Sequence, residues 1–129
     1  MSIRIVRLGE ARAAKEGLRI GTVRRPPRGV PKADWAKRDF YDVWLPELAP
    51  SEELLKVAHG TTFDDKSWKQ FARRFRSEMA KPEAARLFTL LSGLSQYTNF
   101  AVGCYCADEA RCHRSILREL FGEHGAKLT

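Results

Sequence analysis

Residues 99–106 read Asn-Phe-Ala-Val-Gly-Cys-Tyr-Cys, an almost unbroken apolar run. A strand with one wet face alternates apolar and polar residues; a strand covered on both faces does not. The stretch therefore predicts a central strand of a parallel sheet, running from Asn99 to Cys104 or Cys106. Parallel neighbours cannot be joined by tight hairpins and need long crossovers, usually helical. The rest of the chain should then alternate strands with helices.

It does. Ile3, Ile5 and Val6 predict a short opening strand. In residues 18–23, Leu18, Ile20 and Thr22 alternate with Arg19, Gly21 and Val23, which predicts a second. Tyr41 to Leu45 (YDVWL) predicts a third. Ser51-Glu52-Glu53 is a helix start by capping, and that helix should run to about Ala58, with Gly60 ending it. Asp64 or Asp65 starts a longer helix, in which Trp68, Phe71, Ala72, Phe75 and Met79 recur at helical spacing. Pro82 suits the first turn of the next helix, which Gly93 should close. Ile116, Leu117, Leu120 and Phe121 mark a last helix ended by Gly122. The expectation is a single α/β domain over residues 1–129, three-layered, with a mostly parallel central sheet flanked by helices.

A chain of 129 residues with 43% hydrophobic and 30% charged residues can hold its own core. That balance excludes a disordered chain, a collagen-like chain and a coiled coil. No apolar run approaches the roughly 20 residues that span a bilayer, so no membrane partner is expected. The opening residues MSIRIVRLGEAR lack the apolar segment of an export signal. Three cysteines are too few for a disulfide scaffold. Together these features predict a cytoplasmic protein with reduced thiols.

The chain is basic, with net charge +7, and the excess is local. Residues 1–38 carry 11 Lys/Arg against 3 Asp/Glu, while residues 39–129 are close to balanced. An anionic partner is therefore expected on one part of the surface. In open α/β sheets, ligands bind at the C-terminal ends of the strands. That rule selects the loop after Val23 and the loop after Cys106.

Both loops carry chemistry. Cys104-Tyr105-Cys106-Ala107-Asp108-Glu109-Ala110-Arg111-Cys112-His113-Arg114 gathers all three cysteines, a histidine and two arginines at a strand-to-helix junction. Arg111 or Arg114, with the first helix amides, could hold a phosphate or carboxylate. Cys106 or Cys112 could be a thiolate of lowered pKa. A zinc site is not expected, because Cys112 and His113 are adjacent on a helix and no CxxC knuckle is present. Cys106 and Arg111 have four residues between them, where phosphate-transfer thiol enzymes place five. Against these readings, cysteines on an apolar strand also serve as small buried hydrophobes. His113, three, four and seven positions before Ile116, Leu117 and Leu120, shares their inward face. Arginine in a first helical turn opposes the macrodipole, which hints at a bound anion.

The other loop, Arg24-Arg25-Pro26-Pro27-Arg28-Gly29, is stiffened by proline and presents three arginines. It reads as a cationic lip or as a solvated connector. Lys66, Lys69, Arg73 and Arg76 recur on one helix face, as a nucleic-acid track or as the wet side of the Trp68–Phe75 stripe. His59 sits at a helix end, where it could cap carbonyls or reach a cleft. No Walker loop, GxGxxG, HExxH or Ser-His-Asp pattern is present, and no cofactor is expected.

Four of these segments also resemble the domain-of-unknown-function family 488, in its YeaO-like group. They are Pro27-Arg28-Gly29; Trp44-Leu45-Pro46-Glu47-Leu48-Ala49-Pro50-Ser51; His59 with the Trp68–Phe75 helix; and the closing strand with Cys112-His113-Arg114. Relatives in this group often carry Leu-Trp before Pro-Arg-Gly, where this chain has Arg25-Pro26. The resemblance implies a small cytoplasmic α/β domain and no particular activity.

The resulting expectation is a cleft between the loops Arg24–Gly29, Trp44–Ser51 and Cys106–Arg114. It would bind an anionic small molecule, a nucleotide or phosphorylated metabolite, through Arg25, Arg28, Arg111 and Arg114. His113 or His59 would serve as general acid or base and Cys112 as thiolate. Two alternatives are a nucleic-acid-binding module using the basic surface, and a thiol-redox or metal-binding protein using Cys104, Cys106 and Cys112.

Overall fold

A computed structural model describes residues 1–59, 64–106 and 111–129, apart from the side chain of His59. Its sheet has four parallel strands: β1 (Ile3–Arg7), β2 (Leu18–Gly21), β3 (Val43–Trp44) and β4 (Phe100–Cys104). Their spatial order is β1-β4-β2-β3. The α-helices are α1 (Glu52–His59), α2 (Asp65–Met79), α3 (Pro82–Leu94) and α4 (His113–Glu123). This is the expected α/β architecture. Among the described residues, no helix is long and apolar enough to cross a membrane.

The unbroken apolar run is explained by position. Phe100 pairs with Ile3 on one side and Leu18 on the other, and all five residues of β4 are buried. β3 is shorter than its five-residue pattern predicted. Tyr41 leaves the ladder to lie against Gly21, where a Cβ would collide with its ring. The Asp42 amide still donates to the Arg19 carbonyl at 2.8 Å, and the Leu45 amide to Gly21 at 2.9 Å. β2 likewise stops at Gly21, short of the expected Val23, although both the amide and the hydroxyl of Thr22 still bond to the Gly103 carbonyl at 2.9 Å.

The caps follow the sequence closely. The Asp64 carboxylate accepts from the Ser67 amide at 2.7 Å, which opens α2. Ser51 accepts from the Leu54 amide at 3.2 Å and donates through its hydroxyl to Glu78 at 2.5 Å, tying α1 to α2. Gly93 does not close α3. The helix runs on to Leu94, and Ser95 ends it by donating its hydroxyl to the Ser92 carbonyl at 2.6 Å. α4 begins at His113, with Cys112 as its N-cap, and passes Gly122 to end at Glu123.

The main core lies between the sheet and the apolar faces of all four helices. It joins Ile3, Ile20, Phe100 and Val102 to Leu54, Phe75, Phe88, Leu117 and Phe121. Phe88 and Phe121 meet edge to face at 4.9 Å. A second cluster joins Leu8, Val23, Tyr41, Cys104 and Cys112, with Trp35, Phe40 and Tyr105 packed on it. It is built from strand ends and loops, and it forms the floor under the strands' C-terminal ends.

Candidate functional site

The strand β4 ends at Cys104, so the chain turns through Tyr105 and brings Cys106 to the surface while Cys104 stays buried. Cys112 returns as the buried N-cap of α4. The Sγ atoms of Cys104 and Cys112 stand 2.8 Å apart, and those of Cys104, Cys106 and Cys112 all lie within 4.8 Å of one another. All three are free thiols. Such a trio could be shared by one soft ion or exchange a disulfide.

The electrostatics separate the three. The Cys104 and Cys112 thiols hydrogen-bond to Cys106 and pull its pKa far down, against the cost of burial, with the Arg114 charge adding to the pull. Of the three thiols, ionisation is therefore favoured at Cys106. Donation to Cys106 and Cys112, together with burial, pushes Cys104 far up. At Cys112 the neighbouring Cys104 favours ionisation, but donation to Cys106 and burial outweigh it and raise the pKa to about 11. Cys112, the thiolate candidate from the sequence, is thus held as a neutral thiol.

His113 is buried, and its Nε2 donates to the Thr22 carbonyl at 2.8 Å. Burial lowers its pKa, so the ring is neutral and Nδ1 keeps its lone pair. That lone pair stands 3.7 Å from the Cys112 Sγ. The ring also meets Phe75 edge to face at 5.5 Å. It therefore belongs to the core and to the thiol site at once.

The arginines go to different places. Arg114 is buried and donates to the Cys106 carbonyl at 2.6 Å. Its inward route explains how a cation is tolerated in the first turn of α4: it bonds a carbonyl there rather than facing the helix amides alone. Arg111 turns to Asp65 at the start of α2, at 2.7 Å. Arg25 pairs with Glu52 at the start of α1, at 2.9 Å. Arg28 is exposed beside Gly29. Arg24 donates to the carbonyls of Pro50 and Ala49 at 3.0 and 3.1 Å, bracing the loop after β3. Residues 107–110 of the expected third loop, and the side chain of His59, lie outside the described residues.

Arg114 instead lines a groove of about 470 Å³ with Arg4, Arg7, Glu10, Arg19 and Arg118, along β1 and the flank of α4. Arg25, Arg28 and Arg111 do not line it. Arg7 also donates to the Tyr105 carbonyl at 3.3 Å. Two groove arginines therefore touch the Tyr105–Cys106 segment, and the groove adjoins the thiol site. Sequence reasoning missed Arg4, Arg7 and Arg118. The available signal was the i,i+4 spacing of Arg114 and Arg118, which puts both on one helix flank. A second hollow, about 430 Å³, lies on α2 between Lys66, Lys69 and Arg73. Arg76, the fourth expected cation of that face, is drawn off to Glu119 and Glu123 at 2.6 and 2.9 Å.

A family model described as the active DUF488-N3 subclade, DUF488-N3a, matches residues 3–125. Among curated proteins, the "Uncharacterized protein YeaO" of Escherichia coli (strain K12) is 34% identical over 83 residues, which cover 64% of this chain. The matched stretch spans 66% of that relative's length. No solved structure matches the chain.

Proposed function

The chain belongs to the DUF488-N3a family, and from that premise we propose that it binds an anionic small molecule, a nucleotide or phosphorylated metabolite, in the groove along β1. The observation that carries this reading is the lining of the groove. Five arginines, Arg4, Arg7, Arg19, Arg114 and Arg118, line it with two carboxylates, Glu10 and Glu16, so its walls carry an excess of positive charge. A volume of about 470 Å³ falls within the range of small-molecule sites, roughly 300–1,000 Å³. Guanidinium groups match phosphate and carboxylate oxygens through planar, two-point contacts. Two of its arginines, Arg7 and Arg114, also hold the backbone carbonyls of Tyr105 and Cys106, which ties the groove to the thiol-bearing segment. The description of the subclade as active accords with a chemical role.

The test is titration calorimetry with a panel of nucleotides and sugar phosphates. Arg4→Glu and Arg118→Glu should each weaken binding about tenfold or more, since a hydrogen bond to a charged group is worth about 1.5–3 kcal/mol. Circular dichroism of both variants should match the parent. Unchanged affinity in both variants, or no binding by any member of the panel, would overturn the reading.

The hollow between Lys66, Lys69 and Arg73 favours the second reading, a nucleic-acid partner. It predicts binding to single-stranded DNA that weakens steeply with salt and is lost in Lys69→Glu rather than in Arg118→Glu.

A further inference from the structure

One thiol of the trio meets solvent, and two stand behind it. Cys106 is exposed, while Cys104 and Cys112 are buried with their sulfurs 2.8 Å apart. Two sulfurs sharing a tetrahedral zinc at about 2.3 Å each would stand about 3.7 Å apart. A disulfide needs about 2.05 Å. The buried pair stands between these two separations with Cys106 within 4.8 Å of both, so thiol–disulfide exchange can pass among the three sulfurs.

We propose that these residues form a thiol relay in which Cys106 opens a small-molecule disulfide and the buried Cys104–Cys112 pair supplies the two electrons. In the first step the Cys106 thiolate attacks one sulfur of R–S–S–R. The small molecule's S–S bond breaks, a Cys106–S–S–R bond forms, and one RS⁻ leaves. In the second, Cys112 gives its proton to Nδ1 of His113 and attacks the Cys106 sulfur. A Cys106–Cys112 bond forms, and the second RS⁻ leaves. In the third, Cys104 loses its proton and attacks Cys112, which returns Cys106 as a thiolate. Two protein thiols are oxidised, one small disulfide becomes two thiols, and the protons of Cys112 and Cys104 end on the two RS⁻ groups.

The surrounding geometry suits each role. Nucleophilic attack needs an accessible thiolate, and Cys106 has both the exposure and the adjacent Arg114. Resolution needs a base at the second thiol. His113 offers one, because its Nε2–H is fixed on Thr22 and Nδ1 faces Cys112. Storage needs a protected pair, and Cys104 and Cys112 are sealed in the second apolar cluster.

The experiment mixes the reduced chain, free of oxygen, with one equivalent of 5,5′-dithiobis(2-nitrobenzoate). The expected result is two thionitrobenzoate ions released per chain with no persisting adduct. Peptide mapping should then find Cys104 joined to Cys112, with Cys106 open to alkylation. Cys106→Ser, a change at an exposed position, should slow the release at least tenfold. Cys112→Ser should stop after one ion, with the adduct lasting on Cys106. A lasting adduct on the parent chain, or a Cys106→Ser variant as fast as the parent, would overturn the relay. So would stoichiometric zinc masking all three thiols in the protein purified under reductant. None of these readouts depends on anion binding in the groove.

Discussion

Arg19 and Glu16 meet through two parallel contacts, Nε to Oε2 at 2.8 Å and Nη2 to Oε1 at 3.0 Å, with both side chains almost sealed from water. The remaining donor, Nη1, reaches the Glu10 and Asp39 carbonyls at 2.8 and 2.6 Å. A buried pair in which every nitrogen and carboxylate oxygen has a hydrogen-bond partner is tolerated, but half of one is not. Glu16→Ala should therefore lower the unfolding free energy by about 3–5 kcal/mol in urea titrations. Replacing both residues with apolar ones of similar volume should recover part of that loss. Arg76 gives the contrast. It makes contacts as short with Glu119 and Glu123, but these partners lie in water. Arg76→Ala should cost less than about 1 kcal/mol. Equal losses at Glu16 and Arg76 would contradict this account.

Acid should expose the same network. At Glu16, burial would raise the carboxyl pKa, but the Arg19 hydrogen bonds, the Ala13 amide and the charges of Arg19 and Arg12 together outweigh it and lower the value. At Asp42, burial is likewise outweighed, here by Arg12 and by the Arg19 amide. Both folded values thus lie below the unfolded ones. Their stabilisation is present in full above the unfolded carboxyl range, about pH 4, and fades as pH falls through the folded values. Urea midpoints measured downward from pH 6 should hold and then drop below about pH 4. A Glu16→Gln, Asp42→Asn double variant should start lower and drop less. A drop as steep in that variant as in the parent would place acid sensitivity elsewhere.

Gly21 and Tyr41 set a third expectation. The ring lies where a side chain on residue 21 would stand, and Tyr41 is fully buried. Gly21→Ala should cost about 1–3 kcal/mol by overpacking. Adding Tyr41→Leu should return part of it, which a double-mutant cycle would detect. Purely additive losses would show that the ring is not what the added methyl meets.

Much of the framework was legible because local rules and the fold agree. The apolar run of β4, the Asp64 cap and Pro82 at the head of α3 each name their own role. The clustering of thiols at a strand-to-helix junction was legible in the same way. Which thiol surfaces was not, because that depends on the strand stopping at Cys104 rather than two residues later. The destinations of the arginines were also hidden. Arg25 finds Glu52 and Arg111 finds Asp65, partners 27 and 46 positions away that no local pattern connects. Arg19 looked like an outward residue of an alternating strand. It is buried because Glu16, only three residues earlier, and two loop carbonyls close over that face.

The flanks of the sheet have one more consequence. β3 is two residues long, and at the opposite flank Ile3 is bonded to Lys127 and Thr129. Long unsatisfied borders are the templates on which β-proteins polymerise, and stubby or occupied ones offer little to copy. A sheet trimmed at one margin and hemmed at the other can keep its molecules apart at high concentration.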